Sequence, residues 1–285
     1  MPAELRAAAT VLVLRDGAMG PEVFMVRRHD RSAFMGGAHV FPGGAVDAAD
    51  RDAADSQWCD GIEHAAAQIP TLEPAAALAL HVAAARELFE EAGVLLARDA
   101  QGRFARLDDE SSHARFKQYR QDIHASTRTL RDVLEREQLR LAADALTVCA
   151  HWVTPPLDVR RFDTRFFAAR LPIDQHPAHD QRETTESRWT TAGDAIAAAK
   201  RGDIVLPSPT WVTLRELEPF QTVDAIMSWQ RGREIPRREP TLVEQDGVRA
   251  LLMPVDPSYD RDGSLERLET RFVWTGDRWL PPKTG

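Results

Sequence analysis

Residues 83–94 read AAARELFEEAGV. Three carboxylates, Glu87, Glu90 and Glu91, stand at i, i+3 and i+4. On a helix this spacing gathers them on one face, one turn apart. Like charges so placed cost an isolated helix roughly 0.2–0.5 kcal/mol per pair. No Lys follows on the same face to offset them. A divalent cation would. Hard oxygen ligands at helical spacing suit Mg²⁺ or Mn²⁺, above all where a phosphate completes the coordination. Gly93 is placed to end the helix in a left-handed conformation. A helix face that merely meets solvent would carry the same spacing, so the stretch takes its meaning from its surroundings.

Upstream stands AHVFPGGAVDAAD, residues 38–50. Pro42 stiffens the chain, and Gly43 and Gly44 allow close backbone approach to a metal or phosphate. Asp47 and Asp50 follow. Together the two segments resemble the box of the Nudix hydrolases, G-x5-E-x7-R-E-U-x-E-E-x-G-U with U aliphatic. Gly44 fills the first position, and Asp50 stands where the first Glu is expected. Arg86, Glu87, Leu88, Glu90, Glu91, Gly93 and Val94 fill the second half. The usual short spacer is replaced by residues 51–85. An insertion at this place resembles the peroxisomal coenzyme A diphosphatase branch and its bacterial relatives, which also carries the AHVFPGG run. TPPLDVRRFDTRFF at 154–167 resembles the next block of that branch. ESRWTTAGDAI at 186–196, followed by Pro209-Thr210, resembles a third.

The resemblance implies an α/β Nudix fold: a mixed β-sheet sandwiched between helices, with a helical insertion at about 51–80 and a C-terminal extension. It implies metal-dependent hydrolysis of the diphosphate bond in a nucleoside diphosphate linked to X. The expected substrate is coenzyme A or acyl-coenzyme A, giving 3′,5′-ADP and (acyl-)4′-phosphopantetheine. ADP-ribose, NADH or a dinucleoside polyphosphate would undergo the same chemistry. A nucleotide-sensing module without catalysis is the alternative of another class; degenerate boxes mark such proteins, and here the second half is intact.

Glu87, Glu90 and Glu91 are the expected ligands of Mg²⁺ or Mn²⁺, and the resemblance adds the Gly43 carbonyl. Arg86, whose planar fork can pin a carboxylate bidentately, is expected to orient the site from outside the ligand set. The resemblance also implies a general base, either one of Glu87, Glu90 and Glu91 or a later acid. Glu186 is taken as that later acid, with Glu183 as its neighbour candidate. Asp50, a methylene shorter than Glu, is a further candidate member and Asp47 a turn residue. Arg27, Arg28 and Arg31 lead into the glycine loop and are candidates for the substrate phosphates, with Gly44 beside them. Ala33 stands where the stricter coenzyme A signature would place its Arg. His39 reads as a packed loop histidine. On a strand Phe166 and Phe167 face opposite sides, so one could line a base or acyl pocket; Phe166 is the candidate, and Phe162 lies on the same strand.

A hydrophobic content of 43% with 28% charged residues is that of an ordinary globular protein. The net charge of −8 argues against a long nucleic-acid backbone as partner. A small phosphorylated nucleotide needs only local positive charge and metal. No apolar run is long enough to span a bilayer, and no membrane partner is expected. The N-terminus lacks the pattern of a signal peptide, and the last residues, PPKTG, are not a peroxisomal address. Cys59 and Cys149 make no disulfide framework, so a reduced, cytoplasmic setting is the expectation. A homodimer is a candidate assembly.

Periodicity and breakers predict a hairpin over 8–15 and 22–28, then a loop over 29–38. The insertion is expected to hold short helices, packed as a flap or subunit contact. The acidic helix should start soon after Pro74 and run to about Ala92, with Ala84, Leu88, Ala92 and Leu95 as its apolar stripe. A helix-prone segment covers 109–140. Strands are predicted at 146–153, 163–170 and 184–190, and helices at 191–200 and 209–230. Two late hairpins, 241–256 and 271–280, are expected, the second turning at Gly276-Asp277. The Pro-rich stretch 235–240 suggests a boundary between a Nudix domain, 1–235, and an extension, 236–285.

Overall fold

Residues 11–14, Val-Leu-Val-Leu, are apolar on both sides of a strand, the pattern of a strand covered on both faces. They lie at the heart of the sheet in the computed structural model, which describes residues 4–32, 35–52, 57–156, 160–180, 182–245, 247–253, 271–276 and 279–280. The first hairpin is β1 (Leu5–Gly17) and β2 (Gly20–Arg28). Then come β3 (His39–Val40), β4 (Gly43–Ala45), α1 (Ala48–Arg51), β5 (Cys59–Asp60), α2 (Ile62–Gln68) and α3 (Pro74–Ala92). The middle of the chain supplies β6 (Ala97–Arg98), α4 (Glu110–His124), α5 (Leu130–Arg136), β7 (Arg140–Ala142), β8 (Thr147–Val153), β9 (Arg161–Arg170) and β10 (Thr184–Thr191). After them stand α6 (Ala192–Arg201), α7 (Ser208–Leu217), α8 (Val223–Gln230), β11 (Arg237–Arg238), β12 (Thr241–Gln245), β13 (Val248–Leu252), β14 (Arg271–Trp274) and β15 (Trp279–Leu280).

The main sheet is mixed. Its order is β10-β2-β1-β9-β8-β11, with β3 added on β2 and β4 on β1. β1 is antiparallel to β2 and β4 and parallel to β9. Strand alternation divides the core. Ala9, Val11 and Val13 pack with α3, α4 and α5, whereas Leu12 and Leu14 pack with α6, α7 and α8. The expected sheet between helical layers is therefore present.

Helix α3 keeps its predicted bounds. Pro74 sits at its start, where a missing N–H costs nothing. Gly93 ends it at φ 72°, with its N–H donating to the Phe89 carbonyl at 2.9 Å. The predicted stripe is buried, but so are Ala85, Phe89 and Glu91, because the sheet and α4 cover most of the helix. The insertion is built into this layer. Ala65 and Ile69 share a core with Ala77 and Leu78. Gln68 donates to the Leu146 carbonyl at 2.8 Å and accepts from the Val148 N–H at the start of β8. Residues 53–56 lie outside the described residues.

One expectation needs correction. The helix predicted over 209–230 is two, α7 and α8. Pro219 cannot donate to the ladder, so the first helix ends at Leu217. The second starts where the Thr222 hydroxyl accepts from the Ala225 N–H at 3.1 Å. The two late hairpins are joined into one sheet of order β12-β13-β14-β15. Asp277 and residues 254–256 lie outside the described residues. In the Pro-rich stretch, β11 pairs with β8 of the main sheet, and Met253 and Phe272 share a core cluster with Trp211. Cys59 and Cys149 are free and buried, and burial pushes each thiol up to about 12. No described helix is long and apolar enough to cross a membrane.

A Cβ on Gly93 would lie 2.9 Å from the Arg120 guanidinium, in a backbone conformation unfavourable to L residues. Gly93→Ala should cost roughly 1–2 kcal/mol. A urea titration should show a lower midpoint at an unchanged slope. An unshifted midpoint would mean that the helix end is not constrained as described.

Candidate active site

The carboxylates of α3 stand at its C-terminal end, where the helix dipole is negative and anions are disfavoured. The last turn of α3 carries no basic residue of its own. Two arginines supply the missing charge. Arg120, from α4, donates to the Glu90 carbonyl from Nε at 3.1 Å and Nη2 at 2.9 Å. Arg86 is 7% exposed and holds the carboxylates themselves. Its Nε and Nη2 grip the two oxygens of Asp50, each at 2.9 Å. Its Nη1 donates to Glu87 Oε1 at 2.9 Å and to Glu90 Oε1 at 2.8 Å. Nη2 also reaches the Ala45 carbonyl at 2.9 Å. Burial opposes the Arg86 charge, but the hydrogen bonds and charges of Asp50, Glu87 and Glu90 outweigh it and raise its pKa. Asp50 is 1% exposed, and it closes the site across the insertion.

The glycine loop lies against these groups. Gly44 has no room for a side chain, since a Cβ would fall 2.3 Å from Glu87 Oε1. Gly43 is pressed on β1, where a Cβ would fall 2.4 Å from the Ala9 carbonyl oxygen. Register explains how Gly43 is used. Val11 N–H bonds the Pro42 carbonyl and Val46 N–H the Ala7 carbonyl, so the intervening Thr10–Gly43 pair is a non-bonded one. The N–H and C=O of Gly43 therefore point away from β1. The N–H is taken by Glu91 Oε2 at 2.9 Å, and the C=O lies on the same side.

Burial raises all three carboxyl groups. Glu87 is pushed up to about 7 by burial, reinforced by Glu90 and Glu183 and opposed by Arg86. Glu91 is held well above its ordinary value by burial and by Glu87. Glu90 is raised chiefly by burial. Among the described residues no three His, Cys, Asp or Glu side chains converge as a ready-made cation site. Glu87 and Glu90 turn one oxygen each onto Arg86, and Glu91 turns onto Gly43. The donors are hard oxygens: three acids, Asp50, Glu87 and Glu90, surround one guanidinium, and Glu91 is buried beside them. That set suits a divalent cation of the Mg²⁺ or Mn²⁺ kind.

A cleft of about 1260 Å³ opens beside them. Asp47, Asp50, Arg86, Glu87, Glu90, Gly43 and Gly44 border it. Arg28 reaches it from β2; its Nη2 donates to the Ser32 hydroxyl at 3.2 Å, and its buried Nε meets no partner among the described residues. Phe166 lines it too, with its ring 6.3 Å from that of Phe41, while Phe167 is in the core on the other face. Glu183 lies across the cleft. Its Oε1 is 3.8 Å from His124 Nδ1, which is 3.9 Å from Glu90 Oε2.

Other sequence candidates stand elsewhere. Glu186 pairs with Arg188 and does not border the cleft. The neighbouring Arg27 donates to Asp30 and Thr185 and does not border it either. Arg31 does not border it, and its backbone N–H donates to His29 Nδ1. His39 is buried, and burial lowers it to about 4, as befits a packed neutral histidine. Ala33 lies outside the described residues. The sequence reading missed His124 and Arg128, both on the cleft at the turn between α4 and α5. That turn carries no motif, and only its meeting with α3 reveals them.

Known proteins resemble this arrangement. Residues 65–217 match the NUDT19 Nudix domain family. The human acyl-coenzyme A diphosphatase NUDT19 is 30% identical over 88% of this chain and 76% of its own length. The Gallus gallus protein of that name is 28% identical over 94% of this chain and 85% of its own. A Nudix hydrolase from Alicyclobacillus acidocaldarius superposes with a TM-score of 0.64 at 28% identity, covering 79% of this chain and 96% of the other. With the box, the sheet and the matched family in agreement, the chain belongs to the Nudix hydrolases, in the family of the NUDT19 Nudix domain.

Proposed function

We propose that the protein hydrolyses the diphosphate bond of coenzyme A or acyl-coenzyme A, releasing 3′,5′-ADP and (acyl-)4′-phosphopantetheine. The observation that carries this reading is the acid-rich end of α3, packed around Arg86 and opening on a large cleft with Arg28 on its rim. The names of the human and Gallus gallus relatives support the coenzyme A class. The same site would also fit the diphosphate of ADP-ribose or NADH, which is the second reading.

Glu87, Glu90 and Glu91, with the Gly43 carbonyl, are the groups that would hold a divalent cation. Bound there, it would neutralise the diphosphate and lower the pKa of a coordinated water. The chain does the rest. Arg28 borders the cleft and offers its guanidinium to a phosphate oxygen. Glu183 takes the place first assigned to Glu186 and accepts the proton of the attacking water, with His124 beside it to hold its orientation. Water adds its oxygen to phosphorus as the P–O–P bond breaks, and the leaving phosphate departs with the bridging oxygen. Arg86 keeps Glu87 and Glu90 in place, and Asp50 keeps Arg86 in place.

Incubation with coenzyme A, acyl-coenzyme A, ADP-ribose and NADH in Mg²⁺ or Mn²⁺, followed by mass spectrometry, tests the reading. Release of 3′,5′-ADP with preference for the coenzyme A compounds is expected. Preferred cleavage of ADP-ribose or NADH would replace it with the second reading. The double substitution Glu90→Gln, Glu91→Gln should lower turnover by about 10²–10⁴-fold with the fold intact; turnover that survives would remove the metal-site assignment. Asp50→Asn, which weakens the grip on Arg86 without touching substrate, should cost roughly 10–100-fold in metal affinity or activity. Parent-like kinetics and cation titrations would show that Arg86 needs no such support.

Folding retains the Glu87 proton up to about 7, against 4.5 for the ordinary group. In chelator-treated protein this group binds more protons folded than unfolded across that window, so its contribution to stability falls as pH rises. Denaturation midpoints of parent and Glu87→Gln, followed against pH, should show a shallower fall for the variant. Parallel curves would place the Glu87 titration elsewhere.

A further inference from the structure

The cleft runs well beyond the carboxylates, and one part of its wall is apolar. Strand alternation defines its floor. Ala8 and Thr10 on β1, and Phe162, Thr164 and Phe166 on β9, occupy one face of the main sheet and border the cleft. The C-terminal sheet stands over this face. In its register Leu242 opposes Leu251, Leu251 opposes Phe272, and Trp274 opposes Trp279. Cross-strand partners share a face, and so do Phe272 and Trp274, two residues apart. One apolar face thus carries five large side chains.

They are used in two ways. Phe272 is fully buried, with its ring 6.3 Å from that of Trp211, and fastens the sheet to the body. Leu242, Leu251, Trp274 and Trp279 are only half-buried, and all four border the cleft. The two indoles meet at 5.4 Å between centroids. A face of this kind gives a diphosphate or a ribose nothing to bond. It suits an apolar chain, and it is continuous with the cavity in which the diphosphate would be cleaved.

We propose that the C-terminal sheet is the acyl subsite: Leu242, Leu251, Trp274 and Trp279 bind the hydrocarbon chain of an acyl thioester whose diphosphate lies at Glu87 and Glu90. This rests on the coenzyme A reading above and adds to it the part of the chain that selects the acyl group. Each methylene buried on such a wall is worth roughly a fourfold gain in affinity. A long saturated chain is therefore favoured over free coenzyme A.

The experiment is a kcat/KM series on the full-length protein with free coenzyme A and short-, medium- and long-chain saturated acyl-coenzyme A. It compares the parent with Trp274→Ala, Trp279→Ala and Leu242→Trp, each checked for folding by circular dichroism. The parent ratio of long-chain acyl to free coenzyme A should exceed one and should rise with chain length. Both alanine variants should lower that ratio by about 10-fold or more, mainly through KM. Leu242→Trp, which fills the wall, should exclude the longest chains first and so keeps the test open should an alanine variant fail to fold. A ratio unchanged in all folded variants overturns the subsite while leaving the coenzyme A reading intact. An equal loss on free and acyl-coenzyme A also overturns it, and would assign the indole pair to the adenine base. No cleavage of any coenzyme A compound overturns both.

Discussion

One guanidinium is surrounded by Asp50, Glu87 and Glu90, and by the Ala45 carbonyl of the glycine loop. Through it α1, α3 and β4 are held at one point. Each of these acids would be costly to bury alone, and a charge left without its partner in such a place costs several kcal/mol. The guanidinium has enough donors, in a rigid fork, to serve all of them at once. A lysine offers a point charge and could not grip Asp50 with two bonds while holding Glu87 and Glu90. The arrangement of the loop over the helix therefore depends on Arg86 more than on any apolar contact.

The split of the box by a long insertion is tolerable for the same reason. Loop-closure entropy grows only slowly with length, so separating Asp50 from Arg86 along the chain costs little once the two ends are bonded. The inserted residues also contribute a core of their own. Trp58, Ala65 and Ile69 pack with α3, and Gln68 ties α2 to the start of β8. The insertion supports α3 from outside the cleft for most of its length, and Asp52 and Trp58 reach the rim.

The extent of helix α3 was legible because every local signal agreed: Pro at its start, Ala and Leu within, Gly at its end. The break at Pro219 was legible in principle, since proline lacks the N–H that would continue the helix. The later acid was narrowed only to Glu183 or Glu186. β10 has an irregularity between Thr184 and Glu186, and the two acids diverge there. Glu186 opposes Arg27 on the strand, while Glu183 lies before the strand and faces the cleft. His124 and the indole pair had no local signature at all. They reach the cleft by tertiary packing, which a single sequence does not display.

The carboxylates sit at the end of α3 that disfavours them, and burial there raises the pKa of each. An isolated chain could lower it by ending the helix a turn earlier or by exchanging one Glu for Gln. It does neither. The strain is localised where a cation and a phosphate are to be bound, and it is offset elsewhere, by Arg120 on the helix end and by the apolar layers around α3. A site with its negative charge fully neutralised by the protein would have little left with which to attract metal. Incomplete compensation by Arg86 is thus the property that connects the stability of this fold to its chemistry.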